Sequence, residues 1–285
     1  MESIDPKAVD EARRCYAEEL RFVADLKREE VVNAFSRVPR EAFLGPSPWH
    51  VLTPNRGYRE VSGDDPRDTY HNVLYALDRS RKLNNGQPSV VASMIDESGA
   101  SPGQHVVHVG CGAGYYTAVL AEIVGDSGHV TAIEIDDDLA ARARANLEPW
   151  PRVDVKHADG TKFDPGAAAA ILVNAGAAHL APLWLERLLP GATLIVPLTV
   201  HAPTHVIGQV LRVRHGSGGF DARFIMPVGI YPCVGARDDE HERRLRLAFQ
   251  KGDAAAVRSL RCDDHLEGES CWLHTPEYCL STVAP

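Results

Sequence analysis

From His105 to Thr117 an apolar strand runs into a glycine-rich turn that opens a helix, and a second apolar strand ends on Glu134, twenty residues beyond Gly114. Few folds accommodate that order. A strand that feeds a helix through a turn of Gly110, Gly112 and Gly114 must bury both elements against a parallel sheet, and the turn opens at the carboxyl ends of the strands. Glycine permits the tight turn and lets the backbone approach a ligand closely. An acid at the end of the next strand is placed to accept ribose hydroxyls. The spacing is GxGxG rather than the GxGxxG of dinucleotide binders, so a nucleotide-type pocket follows but NAD does not.

The alternation continues on both sides. Residues 8–36 carry apolar positions at helical period, ended by Pro39, and predict a long helical region. Residues 43–69 hold four prolines and three glycines and read as mostly loop, of the kind that lids or binds. Gln87-Pro88 starts an amphipathic helix with Val90, Val91, Met94 and Ile95 on one face. Strands are expected at 105–109, 129–135, 153–156, 168–173 and 192–197, with helices at 116–124, 137–147 and 179–189, and Asp136 or Asp137 as a cap. Val206–Val213 and Phe224–Ile230 read as an antiparallel hairpin. Residues 238–260 look helical and 261–285 irregular. The expected fold class is α/β, a doubly wound, mostly parallel, seven-stranded sheet with a helical N-terminal extension and a C-terminal extension.

Composition excludes several function classes. The 285 residues carry a net charge of −9 and no long basic run, which disfavours sequence-independent nucleic-acid binding. No apolar run approaches the ~18–20 residues of a membrane span. Met1–Lys7 lacks the basic-then-apolar pattern of a secretory signal, so the cytoplasm is the expected location. Six cysteines are few for this length, and no disulfide framework is required. Cys262, Cys271 and Cys279 lie near His265 and His274, but the spacings lack the CxxC pairs of metal motifs, and no metal site is expected.

Two features favour a methyl donor. Asp159-Gly160 follows the third strand, where it could read an adenine edge, and Asn174 follows the fourth, so several strand ends converge on one small ligand. In Gly86-Gln-Pro88, Val106–Tyr115, Val130–Glu134, Ala158–Gly160, Ile171–Ala175 and Leu188–Pro197, residues 84–200 resemble the protein-L-isoaspartate (D-aspartate) O-methyltransferases, within the class I S-adenosylmethionine-dependent methyltransferases. Val38–Leu44 is similar to the family's segment before its substrate loop. The resemblance implies S-adenosylmethionine as cofactor and S-adenosylhomocysteine as product. It assigns Gly86, Gln87, His108, Gly110, Gly112, Gly114, Tyr115, Glu134, Asp159, Gly160 and Asn174 to the donor side. It divides the chain into a helical extension with a substrate-side loop (1–83), a donor-binding domain (84–232) and a C-terminal extension (233–285).

The chain departs from the family at two points. His108 stands where the family usually carries an acid, two residues before the first glycine. Asn84-Asn85-Gly86 replaces a threonine-isoleucine-serine run, so the active-site hydroxyl is missing. Asn84, Asn85 and His71 are the candidate catalytic residues, with an asparagine turn as the plainer alternative for the first two. Methyl transfer to a carboxylate, already ionised near neutral pH, needs no general base. A hydroxyl acceptor would more often need one, and His71, His108 and His201 are the candidates. Tyr70–Asn72, Tyr231–Cys233, Trp49, Trp272 and Tyr278 line an acceptor site or pack the flanks. The expected function is O-methylation of a carboxylate on a peptide, protein or specialised metabolite, differing from isoaspartate repair at the substrate site. The alternatives are a hydroxyl or nitrogen methyltransferase and a non-catalytic protein that binds the donor.

Overall fold

The structure is a computed structural model that describes residues 4–53, 55–202 and 206–285. In chain order its elements are α1 (Pro6–Val23), α2 (Glu29–Arg37), β1 (His50–Thr53), β2 (Gly57–Glu60), β3 (Ala76–Asp78), β4 (Leu83–Asn84), α3 (Pro88–Ser98), β5 (His105–Val109), α4 (Tyr115–Val124), β6 (His129–Glu134), α5 (Asp137–Asn146), β7 (Val153–His157) and β8 (Ala168–Val173). These are followed by α6 (Pro182–Glu186), β9 (Leu188–His201), β10 (Val206–Gly216), β11 (Gly219–Ile230), α7 (Asp239–Lys251), β12 (Ser259–Arg261), β13 (Cys271–His274) and β14 (Cys279–Ser281). The fold is α/β. Every strand pair described between β5 and β9 is parallel, as the alternation predicts. No helix among the described residues is long and apolar enough to cross a membrane.

The chain forms two compact units. The first comprises residues 1–96, 100–103 and 111–157. Its α4 is buried on nearly every side, which is why the run Tyr115–Val124 is apolar all round rather than in one stripe. Tyr16, Phe35, Phe43, Tyr115 and Tyr116 pack edge-on in one aromatic cluster, with ring centroids 4.9–6.3 Å apart in the contacting pairs. Strands β6 and β7 pair in parallel, with Glu134 opposite His157. Asp136 caps α5 by accepting from the Leu139 amide at 3.0 Å, the role its position predicts.

The structure refines two expectations for this unit. Residues 8–36 form two helices, because Asp25 takes a left-handed backbone (φ 49°) that a helix cannot propagate. The Asp96 carboxylate then accepts from the amides of Lys27 and Arg28, both at 3.1 Å, which supplies the acceptors that the start of α2 lacks. Residues 43–69 are not all loop. His50–Thr53 and Gly57–Glu60 pair as a hairpin, and a 3₁₀ turn covers Pro66–Thr69.

The second unit comprises residues 97–99, 104–110 and 158–285. Its strand order is β13-β14-β12-β11-β10-β9-β8-β5, so eight strands among its described residues join edge to edge and the expected count of seven is exceeded. The predicted hairpin is present, but its strands run through the expected linker to Gly216 and Gly219 and leave a two-residue turn. The helix expected at 179–189 shrinks to α6, with Pro182 at its first turn, and Pro190-Gly191 lies within β9. Helix α7 stops at Lys251, and the alanines beyond it form a 3₁₀ turn capped by Asp253. Residues 261–285, expected to be irregular, supply most of an antiparallel sheet, β13-β14-β12, joined to β11. Strands of three or four residues are too short to show a period in sequence.

Candidate functional site

In the first unit the glycine turn is held by a single carboxylate. Glu134, buried at the end of β6, accepts from the Gly112 amide through Oε2 at 2.8 Å and from the Asp136 amide through Oε1 at 3.0 Å. The Cys111 amide donates to the Ile133 carbonyl at 3.2 Å, and the Asn146 side chain donates to the Ala113 carbonyl at 2.9 Å. Gly112 and Gly114 both have positive φ. A Cβ on Gly114 would press Leu147 at 2.8 Å, whereas one on Gly112 would meet only Leu77, at 3.9 Å. The turn is therefore packed on the Gly114 side and open on the Gly112 side. Gly114 caps α4 without a side-chain acceptor, so the positive end of the helix dipole carries no side-chain compensation there.

Tyr115, expected on the donor side, is buried in the aromatic cluster and lies 5.9 Å from the Arg40 guanidinium. Gly86 takes φ 78°, and a Cβ there would meet the Tyr116 ring at 3.3 Å. Its carbonyl accepts from the Tyr116 hydroxyl at 3.0 Å. The residue that replaces the family's serine is thus a left-handed glycine against a tyrosine, not an ordinary position that has lost its hydroxyl. Asn84 makes the plain asparagine turn, accepting from the Gly86 amide at 3.0 Å. Asn85 is buried; its Oδ1 accepts from the Tyr75 amide at 2.9 Å, while its Nδ2 has no hydrogen-bond partner. Gln87 points its amide at Asn72, donating to the carbonyl at 2.6 Å and to Oδ1 at 2.8 Å.

His71 contributes its carbonyl, which accepts from Arg40 at 2.5 Å, and its imidazole is exposed. Tyr70 is buried, bonded to Arg13 and Glu41. A cleft of about 280 Å³, which the sequence did not reveal, opens between Trp49, His50, Leu77, Arg79 and Arg142. Arg142 donates to the Leu77 carbonyl at 3.1 Å, and Arg79 lies 2.5 Å from His50 Nε2. Nothing in the local sequence pattern links Arg142, on α5, to Arg79, at the end of β3. Only the fold brings the two guanidiniums to one opening.

In the second unit the Asn174 amide donates to the Val109 carbonyl at 2.8 Å, and a Cβ on Gly110 (φ 75°) would touch the Asn174 carbonyl at 3.4 Å. Gly160 is required by packing, since a Cβ would stand 2.4 Å from Val109 Cγ1; its carbonyl accepts from Trp184 at 2.8 Å. Asp159 organises its own loop, accepting from the Thr161 amide and hydroxyl at 3.0 and 2.7 Å and pairing with Lys162 at 3.2 Å. Burial acts to raise its carboxyl, but the Thr161 and Lys162 contacts outweigh it and hold the group below its ordinary value.

His108 is wholly buried in β5, opposite Leu172, and burial pushes its imidazole down to about 3, so it is neutral and a weak base near pH 7. His201 is bound to Glu242 at 2.6 Å. Tyr231 is exposed and offers its carbonyl to the Gly176 amide, while burial pushes the Cys233 thiol up to about 11. Trp272 packs on Phe224 and Phe249 at 5.1 and 5.3 Å, and Tyr278 is buried, which is the packing role of large aromatics.

The sequence profile of the protein-L-isoaspartate(D-aspartate) O-methyltransferase (PCMT) family matches residues 16–218. The chain belongs to this family. The match begins well upstream of the stretch whose motifs carry the resemblance, and it ends in the turn between β10 and β11. A protein-L-isoaspartate O-methyltransferase of Hyperthermus butylicus is 31% identical over 237 residues, which cover 79% of this chain and 89% of the relative. One of Ignicoccus hospitalis is 29% identical over 213 residues, covering 73% and 90%. Among solved structures, a protein-L-isoaspartate O-methyltransferase superposes with a TM-score of 0.62 at 19% identity, covering 82% of this chain and 69% of its own. A Plasmodium falciparum protein in complex with S-adenosyl-L-homocysteine superposes at 0.59 with 16% identity, covering 78% and 98%. At those identities the superpositions establish the fold.

The buried imidazole has a pH signature. Its folded-state value, about 3, lies below the unfolded value of 6.5, so the unfolded chain binds the proton first. The stability that His108 contributes is whole above pH 6.5 and drains as pH falls toward 3. A His108→Gln variant is expected to show a flatter loss of urea-unfolding free energy between pH 6 and 4, by up to about 1.4 kcal/mol per pH unit. Parallel curves for the two proteins would show that His108 is not the titrating group.

Proposed function

We propose that this chain is an S-adenosylmethionine-dependent O-methyltransferase that esterifies a carboxylate of a peptide, protein or specialised metabolite. The observation that carries the proposal is Glu134. Its carboxylate fixes the Gly112 amide and still has one lone-pair direction on each oxygen, the acceptor set that two ribose hydroxyls require. The open face of Gly112, against which a Cβ would find almost nothing, fits a bound nucleoside in the same way. Gly110 and Gly114 shape the turn. The roles given by the resemblance to His108, Tyr115, Gln87, Asp159, Gly160 and Asn174 belong to the proposal in modified form. In the first unit Tyr115 and Gln87 pack and tie down their own loops; in the second, Asp159 and Gly160 order theirs, the Asn174 amide bonds to the end of β5, and His108 keeps an uncharged strand end where the family usually carries an acid.

The donor supplies an electrophilic methyl group on a positively charged sulfur. An ionised acceptor oxygen would form the new O–C bond as the C–S bond broke, with the electron pair leaving on sulfur, so no proton would have to move. The chain therefore has only to bind, align and exclude water. That fits two of its histidines: His108 is held neutral, and His71 meets Arg40 through its backbone carbonyl rather than its ring. Arg79 and Arg142, at the cleft beside Leu77, are of the right chemistry to hold a carboxylate. The unpartnered Asn85 Nδ2 is a donor for an acceptor oxygen.

The relatives named above are isoaspartate enzymes, and the acceptor of this chain is proposed to be of their carboxylate class. Gly86 supports a departure from isoaspartate repair: it carries no hydroxyl, and with φ 78° and the Tyr116 ring 3.3 Å from a Cβ built there, a side chain at this position would be strained.

By calorimetry, S-adenosylhomocysteine is expected to bind at micromolar strength or better, and Glu134→Ala to weaken binding by about 1.5–3 kcal/mol, a lost charged hydrogen bond. Equal affinity in both proteins would remove Glu134 from the ribose contact. An isoaspartyl test peptide is expected to turn over slowly in a labelled-methyl assay, and rapid turnover would refute the weight placed on Gly86.

A further inference from the structure

We propose that His265, Cys271, His274 and Cys279 form a tetrahedral zinc site that closes the C-terminal sheet. The family profile ends at residue 218, so the cluster lies in a part of the chain the family pattern does not describe. The sequence offers no CxxC pair, and the fold supplies the proximity instead. Strands β13 and β14 are antiparallel neighbours with His274 opposite Cys279. A register shift between Cys271 and Leu273 changes the alternation of β13, so Leu273 is buried while Cys271 and His274 both reach the cluster. His265 enters from the preceding loop.

One ligand atom from each of the four residues lies within 4.8 Å of every other. Zinc bonds of about 2.3 Å to sulfur and 2.0–2.1 Å to nitrogen require ligand atoms about 3.3–3.8 Å apart in a tetrahedron. Cys271 Sγ and His265 Nε2, at 3.6 Å, already meet that spacing. Shifts of about an ångström in the remaining pairs complete it.

The surroundings are those of a metal shell rather than of four unrelated side chains. His265 Nδ1 lies 3.0 Å from the Asp263 carbonyl, which places the ring proton on Nδ1 and leaves the Nε2 lone pair facing Cys271. The Gly268 amide donates to Cys271 Sγ at 3.4 Å, an interaction that stabilises a thiolate. His274 Nδ1 is buried without a hydrogen-bond partner, which costs free energy unless something binds it. Burial acts to raise the Cys271 thiol, yet Gly268, Cys279 and His265 together hold it below its ordinary value. Burial pushes the Cys279 thiol up to about 12, so metal binding would release its proton. Two thiolates and two neutral imidazoles make an N₂S₂ set whose charge of −2 balances Zn²⁺, a set unsuited to Mg²⁺ or Ca²⁺. The grouping of His179, Asp238 and His241 differs, because Asp238 is already bonded to His241 Nδ1 at 2.6 Å and to two amides at the start of α7.

The site would act as a staple. Strands β12, β13 and β14 are only three or four residues long, and a sheet of that size gains from a metal cross-link. The full chain, purified without chelator from zinc-supplemented cells, is expected to carry about one zinc per molecule by plasma mass spectrometry. Cys271→Ser and His274→Gln should retain roughly a tenth or less of it. Cys262→Ser, which removes a thiol outside the cluster, should retain all of it. Because ligand variants can misfold, the intact protein is also loaded with Co²⁺, and thiolate-to-cobalt charge transfer with intense tetrahedral visible bands is expected. A metal-free wild type, a weak octahedral cobalt spectrum, zinc loss in Cys262→Ser, or a thiol count showing Cys271 and Cys279 disulfide-linked would each overturn the proposal.

Discussion

The first unit depends on one buried cation. Arg40 is wholly buried and has no carboxylate partner among the described residues; its guanidinium donates instead to the carbonyls of Thr69, His71 and Val73 at 2.8, 2.5 and 2.7 Å. Tyr75, Tyr16 and Tyr115 present ring faces 5.0, 5.6 and 5.9 Å from it, which recovers part of the lost hydration. Three carbonyls tied to one planar ion define the path of residues 69–73 more sharply than apolar packing could. From that segment Asn72 holds Gln87 and the start of α3, and Tyr75 pairs with Asn85. Asn85 leads into Gly86, which lies against Tyr116 of α4. Arg40 thus fixes the side on which the acceptor is proposed to bind, at a distance and through backbone.

Glu134 does the same for the donor side with opposite charge. A carboxylate that accepts from two amides draws the glycine turn to the end of β6 and presets the group that ribose hydroxyls would meet. On the proposed reading, alignment falls to two buried side chains bound to backbone, and an ionised acceptor oxygen would need no proton removed.

Regular elements with strong patterns were legible in the sequence. Strands 105–109 and 168–173, the glycine turn, the Asp136 cap and the hairpin after β9 are where the pattern places them. What escaped was set by contacts between distant residues. The N-terminal helical region breaks at the left-handed Asp25, and Asp96, nearly seventy positions away in sequence, accepts from the two amides just ahead of α2. Arg40 reads in sequence as an ordinary charge after Pro39, and nothing local reveals that it is buried. The Arg79–Arg142 cleft and the His265–Cys279 cluster arise from strand pairing and loop placement, which spacing rules do not encode. Gly86 shows the reverse: the sequence displays a glycine without a hydroxyl, but what surrounds it, a left-handed backbone against Tyr116, is visible only in the fold.

The account rests most heavily on the acceptor being a carboxylate. The direct measurement is the alkali lability of the transferred methyl group, after incubation of the chain with labelled S-adenosylmethionine and its acceptor fraction. A methyl ester releases its label as volatile methanol under mild base, and this is the result expected here. Label that stays non-volatile, as in an ether or a methylated nitrogen, would contradict the account.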